Sequence, residues 1–244
     1  MLFQVLKKLG QAFVAGKNAD RARQWSGAFG ETAVRAGTPR TNRPTKGQKR
    51  YFPHNVGIVG FHDFGFPVAK LAEPFAPWIY ERSQQLHNKV RGSSTNLTDG
   101  LRKSIAMLQR RAPGMALSIF ALTDGLANAE TDKLYEVVAD AKQQGIKIYS
   151  IGFGPDADVV FLRRIAEATG GWFNSPQSLR DLSAALVATG QETVRRSRGH
   201  TSAMVLAIDC SGSMVGQCEG GSTKIQAVER SIVDLINWYQ RDPH

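Results

Sequence analysis

The chain predicts an α/β fold, a doubly wound and mostly parallel sheet with helices on both faces, and two patterns carry that prediction. Several short runs, such as Ala116–Thr123 and Ile146–Phe153, are almost entirely apolar, as strands covered on both faces require. Between them lie stretches whose apolar residues recur at helical spacing, with capping residues or glycines at the junctions. Charge supplies a third observation, because residues 1–52 hold eleven Lys and Arg against two acids, whereas residues 53–244 hold twenty against nineteen. The expected organisation is therefore a basic arm and linker over 1–52, followed by one near-neutral domain over 53–244.

Within the arm, Leu2, Leu6, Leu9 and Phe13 fall near helical spacing beside Lys7 and Lys8, so the first turns predict a basic amphipathic helix. Residues 35–50 carry Gly37, Pro39, Pro44 and Gly47 among charges and no apolar period, the pattern of an extended linker. From Asn55 the texture changes. Val56–Phe61 predicts a strand, and Pro67–Ala72 a weaker one at a sheet edge. A helix is expected over Pro77–Val90, with proline at its tolerated first position, then a loop through Ser94, Thr95 and Asn96, and a helix over Leu97–Arg110. After the strand Ala116–Thr123, Thr131 is expected to cap a helix carrying Leu134 and Val138, which Gly145 ends. The strand Ile146–Phe153, a helix capped by Asp158, a short strand at Trp172–Phe173 and a helix over Ser178–Arg196 follow. Strand 204–208 and a helix from Thr223 close the chain.

Composition bounds the function. With 244 residues, 42% of them hydrophobic, the chain can bury one good core. It contains no apolar run long enough to span a bilayer. Its first residues place two lysines inside the apolar run, a poor secretory signal, so a cytoplasmic location is expected. Cys210 and Cys218 are too few for a disulfide framework and read as reduced thiols. The five histidines are scattered, which predicts surface or capping roles. Gly216–Gly221 has the first spacing of a phosphate loop, but Ser222 stands where its lysine must be.

The most informative stretch is Val205–Met214, an apolar run that stops at Asp209, with Ser211 and Ser213 alternating behind it. An exposed loop leaving the strand end, where Asp209 is expected, can turn these three oxygens toward one point, and such hard donors suit Mg2+, Mn2+ or Ca2+. In a doubly wound sheet, chemistry lies at the carboxyl ends of the strands. Two other predicted strand-end loops carry small oxygen donors: Ser94-Thr95-Asn96 and Thr123-Asp124-Gly125.

The run Ile208-Asp-Cys-Ser-Gly-Ser-Met214 resembles the D-x-S-G-S metal-ion-dependent adhesion motif of von Willebrand factor A domains. That resemblance implies a Rossmann-like vWA fold and two further ligands, Thr95 after the turn Gly92-Ser93-Ser94 and Asp124 in Thr-Asp-Gly, with Thr98 a competitor for the threonine. It also implies a circularly permuted order, since in the family the metal strand opens the domain and here it comes last. The connection Ser197–Ser202 spans roughly 20 Å when extended, which favours an intramolecular arrangement over exchange of the last strand and helix between subunits.

The function implied is a divalent-cation-dependent protein–protein binding module, not an enzyme, whose partner offers an Asp or Glu that completes the shell of Mg2+ (or Mn2+ or Ca2+). The alternative is an assembly or scaffold protein in which the metal is structural and the basic arm holds a neighbouring subunit or nucleic acid. Of the arm's targets, a second copy or an assembly partner is favoured over nucleic acid, because only Trp25 and Tyr51 lie near the charges to stack on bases.

Overall fold

The computed structural model describes residues 54–72, 74, 76–109, 114–197, 201–218 and 221–241. The expectations for the arm and linker, 1–52, lie outside these residues, as do His200 and His244. Among the described residues six strands form one sheet: β1 (His54–Phe61), β2 (Gly65–Ala72), β3 (Ala116–Thr123), β4 (Lys147–Gly152), β5 (Phe173–Asn174) and β6 (Ser202–Asp209). Their spatial order is β2-β1-β6-β3-β4-β5. Only the edge pair β1–β2 is antiparallel; the other pairs are parallel. The mostly parallel sheet read from the apolar runs is thus the observed one, with β2 at an edge.

Helices cover both faces. They are α1 (Pro77–Ser83), α2 (Leu97–Leu108), α3 (Thr131–Gln143), α4 (Val159–Ala168), α5 (Leu179–Arg196) and α6 (Lys224–Arg241). Strand pleating sends alternate residues to opposite sides. In β6, Ala203, Val205 and Ala207 join a core with Leu101 of α2, Val138 of α3 and Ile165 of α4. Met204, Leu206 and Ile208 join a second core with Ile79 of α1, Leu186 of α5 and Ile232 and Leu235 of α6. All eight residues of β6 are buried, so the last strand in sequence is the central one in space.

Three local expectations are corrected. The helix predicted over Pro77–Val90 stops at Ser83, whose hydroxyl donates to the Tyr80 carbonyl at 2.8 Å, and the chain resumes as a 3-10 turn at Leu86–Lys89. Thr131 is the first helical residue rather than the cap, which falls to Glu130 in a left-handed conformation (φ 51°) with no side-chain capping bond. His54 and His62 are buried rather than on the surface; His54 Nδ1 lies 2.8 Å from the Ser202 hydroxyl. Other punctuation is as read, with Asp158 accepting a capping bond from Phe161 N and Gly145 and Gly170 at positive φ, while Ser178, read as helical, is instead the cap and accepts from Asp181 N.

One close approach makes a stability prediction. A Cβ on Gly171 would fall 1.8 Å from the carbonyl oxygen of Ile148 in β4, a backbone atom held by the sheet. Gly171→Ala is expected to cost about 3 kcal/mol or more and to lower Tm by roughly 6–12 °C in a thermal melt. An unchanged Tm would mean that this packing of Gly171 on β4 is wrong.

Candidate metal centre

Register brings the site together. Phe61 of β1 pairs with Asp209 of β6, and Thr123 of β3 pairs with Gly152 of β4, so four adjacent strands finish at the same level. The loops leaving those ends are anchored to one another. Cys210 N donates to the Phe61 carbonyl at 2.7 Å, and the Cys210 carbonyl accepts from Arg91 N at 2.9 Å. Burial pushes the Cys210 thiol up to about 12, which makes it an inert packing group. Both cysteines are free.

Asp209, expected on an exposed loop, is instead completely buried as the last residue of β6. Its Oδ1 accepts from Ser211 N at 2.8 Å and its Oδ2 from the Thr123 hydroxyl at 2.5 Å. Burial raises its pKa from 3.8 to about 6 against the opposing pull of these bonds, and the Asp124 charge adds to the rise. Ser211 and Ser213 hydroxyls stand 3.0 Å apart, and the Ser213 hydroxyl donates to Asp124 Oδ1 at 2.7 Å. The other oxygen of Asp124, Oδ2, accepts from Lys224 Nζ at 2.6 Å. Four of the five candidate ligands therefore form two linked pairs, Asp209 with Ser211 and Ser213 with Asp124, joined through the serine hydroxyls.

Thr95 shares with Ser211 and Ser213 a pocket of about 390 Å³, whose walls also include Gly125, Asn128 and Asp156. Its backbone is clamped at both ends by Asn128: Thr95 N donates to Asn128 Oδ1 at 2.8 Å, and Asn128 N donates to the Thr95 carbonyl at 3.2 Å. The preceding turn is held by Asp63, which accepts from Ser93 N and Ser94 N at 3.2 and 3.0 Å. Bonds from Ser94 are the main reason its carboxyl lies below its ordinary value. The competitor Thr98 is fully buried and donates to the Glu130 carbonyl at 2.9 Å, away from the pocket.

The donor set of two carboxylates and three hydroxyls fits a hard divalent cation in kind. Among the described residues no group of three or more His, Cys, Asp or Glu is placed to hold a metal ion. Residues that sequence reasoning missed are Asn128, Asp63 and Lys224, and with them the bond from Thr123, on a loop read as carrying donors, to Asp209. Lys224 alone left a signal, a cation on the first turn of a helix where the dipole disfavours it.

The family model of the von Willebrand factor type A domain matches residues 54–185, more than half of the chain; the match ends before β6. No curated protein matches the chain. Among solved structures, the chain is similar to a crystal structure described as an uncharacterized membrane spanning protein from Vibrio fischeri. Identity is 21%, covering 57% of this chain and 75% of that one, with a TM-score of 0.31, too low to carry an argument. Among the described residues no helix is long and apolar enough to cross a membrane.

Proposed function

The chain belongs to the von Willebrand factor type A family, and we propose on that premise that it is a divalent-cation-dependent protein-binding module. Domains of this family commonly act as protein-interaction modules. The observation that carries the metal dependence is the row of oxygens at the strand ends, Asp209, Ser211, Ser213 and Asp124, linked by hydrogen bonds, of which Ser211 and Ser213 line one pocket with Thr95. These five residues would hold Mg2+, or Mn2+ or Ca2+. A cation bound there supplies a positive centre that attracts an Asp or Glu of a protein partner. The chain's own part is to fix the donors: β6 holds Asp209, Thr123 orients its carboxylate, and Asn128 holds the Thr95 turn. Leu126, 59% exposed on the pocket wall, offers the partner apolar contact.

The connectivity is proposed to be a circular permutation of the family order. Central β6 supports it, as does the end of α6, where the Tyr239 ring lies 6.1 Å from the His54 ring at the start of β1. Linking the two ends there restores the order metal strand, helix, second strand. The module is proposed to be cytoplasmic and to bind rather than catalyse. The charge of residues 1–52 favours a second role, in which the arm holds another copy or an assembly partner and the metal is structural.

The test is capture of partners by the immobilised full chain with Mg2+ and with EDTA. Partners retained with Mg2+ and released by EDTA are expected, together with their loss on Asp209→Ala. Retention that ignores EDTA but is lost when residues 1–50 are removed would transfer the function to the arm.

A further inference from the structure

The donor row does not end at Asp124. Its Oδ2 accepts from Lys224 Nζ at 2.6 Å, the carboxylate fully buried and the lysine side chain 14% exposed. Lys224 opens α6, where the helix dipole makes a cation unfavourable. Its backbone N donates to the Gly216 carbonyl at 2.9 Å, and its side chain then runs back toward β3 between two glycines. A Cβ on Gly154, whose φ is +118°, would lie 3.3 Å from Nζ, and a Cβ on Gly216 would lie 3.5 Å from Cε. The lysine therefore occupies a narrow passage left by missing side chains and ends on a ligand of the proposed cation. Surface ion pairs are worth little, but this one neutralises a buried carboxylate.

We propose that Lys224 is a tethered counter-cation of the metal centre: it satisfies Asp124 in the metal-free protein and keeps the resting affinity for a divalent cation low. The inference rests on the metal reading above. An ammonium at this place cancels one of the two carboxylate charges that attract a cation, and it opposes the cation directly by like-charge repulsion. Two consequences follow. The metal-free fold is held together at Asp124 without any ion, and the acidic partner, by adding a charge of its own, is needed for tight retention of the metal.

The experiment is calorimetric titration of Mg2+ into the full chain, comparing wild type with Lys224→Met, Lys224→Gln and Lys224→Arg, each checked by circular dichroism and by a melt in EDTA. Removing the charge is expected to raise Mg2+ affinity at least about tenfold for Met and Gln, with Arg close to wild type. In EDTA the Met variant should melt below wild type, because buried Asp124 loses its partner. Equal or lower affinity in Met and Gln, with wild type binding Mg2+, overturns the proposal and leaves the metal reading standing. Binding by none of the four overturns both. Should neither neutral variant fold, the Lys224 ammonium resonance of the wild type decides: it should be exchange-protected in EDTA and shift on Mg2+ saturation, and an unmoved resonance overturns the proposal.

Discussion

Asp209→Ala is expected to lower Mg2+ or Mn2+ affinity by roughly a hundredfold or more, about 3 kcal/mol, while the domain stays folded. The carboxylate supplies one of two negative charges in the donor set and is placed by backbone, as the last residue of the central strand in register with Phe61. Asp124→Ala should lose a similar factor, and Thr95→Ala less, since a hydroxyl brings no charge. Calorimetry checks all three; unchanged affinity in Asp209→Ala would remove the site assignment.

The same residue gives the metal-free protein a pH signature. Its pKa is about 6 in the folded chain against an unperturbed 3.8, with burial the chief cause. A raised folded value means that the folded state holds the proton more tightly. The associated stability is fully present below about pH 4 and is lost as pH rises through 6. Its size is roughly 3 kcal/mol. Denaturation in EDTA should therefore show wild type gaining on Asp209→Asn between pH 7.5 and pH 4. Asn keeps an acceptor for Ser211 N, and Thr123 can turn its hydroxyl to accept from the new amide. Exposed carboxylates that titrate in the opposite sense, Asp63 and Glu130 among them, are common to both proteins and cancel in the difference. If the two proteins respond to pH in parallel, Asp209 is not the buried ionisable group described here.

How much of this was legible in the chain depends on whether a signal is local. Strand runs such as Ala116–Thr123 carry their burial in their composition, so their existence, their parallel pairing and the edge position of β2 were readable. The alternation Asp209, Ser211, Ser213 is likewise local. Hydrogen bonds across the sheet are not: nothing near Thr123 says that its hydroxyl will meet Asp209, 86 positions away, nor does Asn128 announce that it clamps Thr95. The same limit explains the misread exposure of Asp209. A carboxylate that ends an apolar run looks like the start of a solvated loop, and only the neighbouring strand ends, closing at the same level, show that it is covered. Local periodicity also misses the break after α1, where the chain turns from Ser83 into the 3-10 turn at Leu86–Lys89.

Removing residues 202–244 should abolish folding, since these residues form the middle of the sheet rather than an appendage. β6 pairs with β1 from His54 to Phe61 on one side and with β3 from Ala116 to Leu122 on the other, so its loss leaves two facing strand edges without partners. Both cores lose a wall at once, because Val205 serves one and Met204, Leu206 and Ile208 the other, and α6 takes Ile225, Val228, Ile232, Leu235 and Ile236 with it. At about 1.5–3 kcal/mol for each buried side chain, nine such residues match or exceed the ~5–15 kcal/mol by which a whole domain is stable. The fragment 53–200 is expected to be insoluble, or soluble without a cooperative urea transition by circular dichroism. Placing residues 201–241 ahead of His54 instead should restore both folding and metal binding, since Tyr239 already stands beside His54 and α6 ends where β1 begins. A fragment 53–200 that unfolds cooperatively would show that the central strand is dispensable, and a rearranged chain that fails to fold would count against the permutation alone.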